Sequence, residues 1–287
     1  MLPINKIKKA LTGGEWYVAH RKKGEKEFSI AEVPEGQWCA DPFVYEVDGE
    51  HYIFVEQYKI DKDKGCIGYY RIDNGIPVNK GIIIENSYHM SYPDVFEYNG
   101  NHYMIPESSA NNTVDLYVAD SFPEKWRKIK TLIDGEKLVD STVYQEGRKY
   151  YIITYSMING YEVRVYKLDM GLMSVTQLSS KRYSRNVGRP GGRLFWENSK
   201  LLRPAQDCSK KYGEALILDE VDQIDQNGEY IEHEVRRIDL NSIVLNKQFE
   251  RVHQLTDDGM YTVIDVFKEK MDLLHGVKIL RRTYLRK

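Results

Sequence analysis

Apolar residues fall in short runs punctuated by turns, and one unit of this kind recurs: a short apolar strand, a turn, then a second apolar strand opening with Tyr. It reads DPFVYEVDGEHYIFVEQ from Asp41, PDVFEYNGNHYMIPES from Pro93 and DSTVYQEGRKYYIITYS from Asp140. The turn glycines Gly49, Gly100 and Gly147 lie roughly fifty residues apart, each followed at the third position by Tyr52, Tyr103 or Tyr150. Asp48-Gly49 and Asn99-Gly100 are strong hairpin signals, because both central positions tolerate positive φ. Two weaker copies follow: GRLFWENSKLLRPAQD from Gly192 and HQLTDDGMYTVIDVF from His253, turning at Asn198-Ser199 and Asp258-Gly259. The runs CIGYYRI, TVDLYVAD, EVRVYKLD and EALILDEV lie between copies, and long helical periodicity is absent.

Each unit therefore supplies about four strands, the content of one propeller blade. The pattern predicts an all-β chain: a five-bladed β-propeller with blades of about four antiparallel strands, formed as a single domain over residues 1–287. A circular array leaves an unpaired edge at each terminus unless the ends pair. The runs EWYVAHRK from Glu15 and VKILRRTYL from Val277 are thus expected to share the last blade.

Composition narrows the class. A formal charge of −2 argues against a nucleic-acid binder, which needs an excess of Lys and Arg on one face. The 22 tyrosines suit half-buried strands and also stacking on sugar rings. Cys39, Cys66 and Cys208 have no paired spacing and read as reduced, which favours the cytosol. Residues 1–11 alternate Lys with isolated apolar positions, and nowhere does an apolar run approach the ~18 residues of a spanning helix. The expectation is a cytoplasmic protein with no transmembrane segment. The basic stretch Lys278–Lys287 reads as a solvated edge strand rather than a lipid contact.

In a propeller the first strand of every blade lines the channel, so equivalent hairpin ends from all five blades meet on one face. The first strands begin with Asp41, Asp94, Asp140, Arg189 to Arg193, and His253; the second strands end with Glu56, Glu107, Ser156, Gln206-Asp207 and Asp265. Single residues have plainer readings. Asp before Pro often only starts a turn, Glu107 can cap a loop, and an isolated His253 is more often a satisfied core imidazole. Asp265 and Ser156 read as structural, and Arg203 can brace a neighbouring blade. Their joint concentration at one end of the blades is what points to a site. Crowded, desolvated carboxylates push their pKa values apart, as glycosyl chemistry requires, so Asp41, Asp94, Glu107 and Asp140 are the candidate catalytic acids. Glu56, Arg189, Arg193, Arg203, Gln206, Asp207 and His253 are the candidate binding residues, the arginines for an acidic or phosphorylated sugar.

These residues resemble the five-bladed propellers of arabinanases, β-xylosidases, invertases and levansucrases. ADPFVYEVDGEHYIF looks like their first blade, and the resemblance implies that Asp41 is a base or nucleophile. SYPDVFEYNGNHYMI looks like their second blade, and implies that Asp94 positions substrate and tunes the acid. Those hydrolases begin the third blade with a Glu general acid; here Leu138-Val139-Asp140 stands there, leaving Asp140 or Glu107 for the role. A closer resemblance is to the propeller at the N-terminus of plant glucosamine inositolphosphorylceramide transferases and their bacterial relatives. It is carried by ADPF, FVEQ, SYPDVF with MIPES, LVDSTV, and RPAQDCSKKYG. In the plant proteins a domain resembling glycosyltransferases follows the propeller. The resemblance implies a part in glycan or glycolipid assembly.

Three functions follow as expectations. The first is glycosyl transfer in surface-polysaccharide or glycolipid biosynthesis, acting on a sugar, oligosaccharide or nucleotide sugar. The second is glycoside hydrolysis. The third is a non-catalytic glycan-binding module serving a partner glycosyltransferase. No cysteine–histidine spacing points to zinc, and no phosphate loop to a nucleotide. His253 and the face carboxylates are candidate ligands for a hydrated Ca²⁺ near the axis.

Overall fold

The computed structural model describes residues 12–158, 160–226, 229–245 and 247–271. Strands dominate them, with two short 3₁₀ turns and no α-helix among the described residues. They form five small sheets. Blade 1 runs Gln37–Val47, Glu50–Lys59, Lys64–Asp73, Ile76–Ile84, from the channel outward. Blade 2 runs Ser91–Tyr98, Asn101–Ser108, Thr113–Ser121, Lys125–Asp134, and blade 3 Leu138–Glu146, Lys149–Ser156, Tyr161–Asp169, Ser174–Tyr183. Blade 4 has a broken inner strand, Val187–Pro190 and Phe195–Glu197, followed by Lys200–Asp207, Ala215–Gln226 and Glu229–Ile238. Asp48-Gly49 and Asn99-Gly100 take positive φ at both turn positions, the geometry that joins their hairpins.

Blade 5 closes the ring. Leu255–Asp257 and Tyr261–Met271 form its inner hairpin, and the first described strand, Thr12–Lys22, pairs with Tyr261–Met271 along its whole length, Thr12 opposite Met271 and Lys22 opposite Tyr261. Closure therefore pairs the first described strand with the last, an N-terminal strand with a C-terminal one as expected, and hides an edge of each. The first strand's inner partner is the fifth copy's own second strand and its outer partner is Glu27–Ile30; the run from Val277, expected in this blade, lies outside the described residues.

Between blades the core is apolar and aromatic. Phe43, Phe54, Tyr69, Met90, Tyr92 and Met104 pack blade 1 on blade 2, and Phe96, Ile105, Leu138 and Ile152 pack blade 2 on blade 3. Wedge-shaped packing of this kind aims every inner strand at the axis. In blades 1, 2 and 3 that strand carries a bulge at its site-side end, two residues facing one across the hairpin. The first bulge residue is Asp41, Tyr92 or Asp140, with φ of 50°, 47° and 51°; blade 4 has Gly188 at 89°. A bulge breaks the in–out alternation and turns its side chain out of the sheet's regular rows.

The channel is plugged below these bulges. The Tyr92 hydroxyl meets Thr142 Oγ1 at 2.7 Å and accepts the Gly192 N–H at 2.9 Å, linking blades 2, 3 and 4. Gly192 sits at φ 134°, and a Cβ there would lie 1.8 Å from the Leu255 carbonyl oxygen, so only glycine fits the seam between blades 4 and 5.

Candidate active site

Asp41, Asp140, Glu56 and Glu107 converge with Arg189 and His253 at the site-side mouth. Asp41 is 4% exposed. Its Oδ2 accepts the Tyr92 N–H at 3.2 Å, its own N–H donates to Asp265 Oδ2 at 3.0 Å, and its Oδ1 lies 3.6 Å from His253 Nε2. On the far side of that imidazole, Nδ1 lies 2.7 Å from Asp265 Oδ2. Asp265 Oδ1 in turn accepts the N–H groups of His253 and Gln254, which fixes the segment that carries the ring. Trp16 stacks on His253 with centroids 3.9 Å apart, and Tyr212 meets it edge-on.

Asp140 faces the opposite way, into Arg189. The guanidinium grips both carboxylate oxygens and reaches Glu107 Oε2 at 3.4 Å, while Gln206 Nε2 donates to Asp140 Oδ2 at 2.8 Å. Glu107 Oε2 accepts the Asp140 N–H, and Ser109 holds its other oxygen at 2.6 Å. A pattern emerges around the ring: Asp265 receives the bulge amide of blade 1, Asp41 that of blade 2 and Glu107 that of blade 3. These acids orient the blades as well as the site.

Burial pushes the carboxyl of Asp41 up to about 7, with Asp140 and Asp265 adding to the rise and His253 opposing it. Asp140 is likewise pushed up to about 7 by burial and by Glu107, against the pull of Arg189. Glu56, buried near Asp41 and Glu107, is raised well above the usual carboxylate range by burial and by those neighbouring acids. Burial alone would lower His253, but Asp265 and Asp41 outweigh it and raise the imidazole. Asp41 and Asp140, both near 7 and crowded into one mouth, can exchange protons with a bound ligand.

Asp94, expected beside Asp41, lies in a deeper layer. The bulge counterpart of Asp41 in blade 2 is Tyr92, and Asp94 stands two residues further along the strand. Its oxygens accept Arg193 Nε and the Val143 N–H, each at 2.7 Å, and Arg193 also donates to the carbonyls of Val44 and Val95. Asp94 and Arg193 thus form a plug joining blades 1, 2, 3 and 4. Two further candidates do not join the mouth. Arg203 is fully buried between Glu232 and Asp219 and donates to the Gly188 carbonyl; Asp207 is held by Arg237 and the Ser209 N–H. Both corrections have one cause: in blade 4 the outer strands supply buried partners, which strand-end position does not reveal. All three arginines expected to meet an anionic ligand are paired with carboxylates.

Asp41, His253 and Asp265 offer three ligand atoms within 4.8 Å of one another, the one grouping among the described residues that could hold a metal ion. Both Asp265 oxygens already accept backbone N–H groups, so a hydrated Ca²⁺ held here would take most of its about six to eight oxygen ligands from water.

Aromatic residues of the mouth were not among the candidates. Tyr212 lies under the Arg189 guanidinium, and Trp38 stacks on Tyr58 with centroids 4.2 Å apart. Trp38 stands three residues before Asp41 and Tyr58 two after Glu56, positions that the hairpin geometry already placed at the mouth. A wide cleft of about 740 Å³ opens between blades 4 and 5 near Trp196, but it shares no residue with the acid cluster. No helix among the described residues is long and apolar enough to cross a membrane.

Comparison with known proteins places this geometry. Glucosamine inositolphosphorylceramide transferase 1 of Arabidopsis thaliana is 30% identical over 233 residues, covering 77% of this chain and 30% of that protein. The protein of the same name from Oryza sativa subsp. indica is 32% identical over 198 residues, covering 65% and 26%. The chain spans less than a third of the length of these curated relatives. An α-L-arabinofuranosidase from Clostridium thermocellum shares the fold with a TM-score of 0.59 at 14% identity, covering 80% of this chain and 83% of that one. A family model described as glucosamine inositolphosphorylceramide transferase 1, N-terminal, matches residues 3–256, and the chain belongs to that family.

Proposed function

We propose that the protein binds a sugar at the acid cluster and takes part in glycosyl transfer during assembly of a surface glycan or glycolipid. The observation that carries the reading is the pairing of Asp41 and Asp140 in one mouth, both with carboxyl pKa values near 7. Asp140 has its oxygens claimed by Arg189 and Gln206, so its part is electrostatic. Asp41 keeps Oδ1 turned to His253 without a hydrogen bond and is the group that exchanges a proton with the glycosyl oxygen. His253, steadied by Asp265, tunes it.

Five acids at the mouth, Asp41, Glu56, Glu107, Asp140 and Asp265, face one guanidinium, Arg189, and two imidazoles, His253 and His89. That balance suits a neutral or amino sugar better than a phosphorylated one, and the curated relatives carry glucosamine in their name. A second reading, a glycan-binding module that serves a partner transferase, is favoured by the pairing of all three candidate arginines with carboxylates, which suits a site that only binds.

The test is an array of immobilised mono- to tetrasaccharides, followed by turnover of the binders with wild type and Asp41→Asn. Transfer to an acceptor that Asp41→Asn loses while still binding supports the proposal. Binding without turnover selects the module. Release of free sugar without an acceptor selects hydrolysis, and silence across the array overturns the site.

A further inference from the structure

Beside the acid cluster, at the blade 1 rim, the structure holds a second set of groups that the proton chemistry does not use. Trp38 and Tyr58 stack with an interplanar angle of 9°, both half-buried, and Trp38 packs against Trp16 and Phe267 below the mouth. The pair is continuous, through Trp16, with His253 and Tyr212, so one side of the mouth is an aromatic wall and the other is polar. His89 closes the outer end, with 38% of its side chain exposed and its ring centroid 6.1 Å from that of Tyr58.

The polar groups here are aimed and unspent. The Gly65 N–H donates to His89 Nδ1 at 3.0 Å, which leaves the proton of the neutral ring on Nε2. Burial and the nearby Arg189 charge lower the pKa of this imidazole and keep it neutral. Its Nε2 lies 3.3 Å from Glu56 Oε1. That oxygen is buried and makes no hydrogen bond among the described residues, although Glu56 is only 5% exposed. Gly65 permits the approach: a Cβ there would lie 2.4 Å from Glu56 Oε1 and 2.8 Å from His89 Cε1. A buried carboxyl with an idle oxygen is costly unless a ligand completes it.

We infer that Trp38, Tyr58, His89 and Glu56 form a second sugar subsite, adjoining the one at Asp41, so that the ligand spans at least two rings. A pyranose or furanose face covers the exposed aromatic edge of the Trp38–Tyr58 pair, while its hydroxyls meet Glu56 and the His89 Nε2–H. This rests on the reading of the acid cluster as a sugar site and adds the length and orientation of what it takes.

Calorimetry with the strongest oligosaccharide binder of the array and with its single-ring methyl glycoside tests it. Wild type should bind the longer probe about tenfold more tightly, and Trp38→Ala should remove that gain while leaving the single-ring affinity unchanged. Trp38→Tyr, which keeps a stacking ring, should restore much of it, and Tyr58→Ala serves as the second variant if Trp38→Ala does not fold. Equal affinity for both probes in wild type, or equal weakening of both in Trp38→Ala, overturns the subsite while leaving the Asp41 site standing. No binding by any probe overturns the sugar reading itself.

Discussion

Asp41 and Asp94 stand one repeat apart and do different work. Asp94 is fully buried and answers the Arg193 charge, so Asp94→Ala strands a guanidinium in the channel plug. Breaking a buried pair from one side costs about 3–5 kcal/mol, and chemical denaturation of that variant should show a loss in this range. Asp41→Asn keeps an acceptor for the Tyr92 N–H and should unfold within about 1.5 kcal/mol of wild type; a larger loss would make Asp41 framework too. The raised acids also set a pH dependence. Asp41 and Asp140 start from an unfolded value near 3.8 and reach about 7 when folded, so the native state holds the extra protons between those limits. Stability contributed at low pH is lost as pH rises through 7, and His253, also raised, loses its share in the same direction above its unfolded value of 6.5. Melting temperature should fall from pH 5 to pH 8, and Asp41→Asn should flatten the slope. A rising curve would contradict the burial-driven shifts.

At the scale of strands, the mouth is built by bulges rather than by strand ends. Asp41, Tyr92 and Asp140 each stand seven positions before the first residue of their hairpin turn, Asp48, Asn99 and Gly147. That spacing was open to view in the repeat. What hid it was the change of residue type at blade 2, where Tyr replaces Asp and Asp94 invites alignment with Asp41 instead. The hairpins themselves were legible because Asp-Gly and Asn-Gly turns announce them and Tyr marks each second strand. Blade 4 was harder. The stretch RPAQD contributes a brace through Arg203, legible as a brace but tied to Glu232 of its own blade rather than to a neighbour. It also supplies a support for Asp140 through Gln206 and a carbonyl from Pro204 for the Gly191 N–H, which were not visible without the broken inner strand. The crossing by Tyr92 gives a measurable consequence. Tyr92→Phe leaves the buried Gly192 N–H without its acceptor and should cost about 1–3 kcal/mol, read by denaturant titration. Gly192→Ala should fail to give folded protein at all.

For the whole molecule, five copies of one hairpin explain the ring, and the pairing of the first described strand with Tyr261–Met271 explains why it is closed. Removing Thr12–Lys22 exposes the edge of Tyr261–Met271 and takes Trp16 away from His253. Size-exclusion chromatography of a chain beginning at Lys23 should show association or aggregation in place of the full-length species. A well-behaved species that still unfolds in one sharp transition would show that the ring closes without this strand. Convergence of acids was foreseeable because it depends only on hairpin direction; which acids turn inward depends on bulge register and on partners drawn from outer strands.

The closing pair also sets a direction of travel. Lys22 and Tyr261 meet beside the Asp258-Gly259 turn, so Thr12 and Met271 meet at the other rim, the one that carries the carboxyls. The first and last described residues therefore lie at the mouth, and the hairpin turns of blades 1 to 3 lie at the opposite rim. A label placed on the turns at Gly49 or Gly100 thus sits on the rim away from the carboxyls, whereas one placed at Thr12 stands beside them.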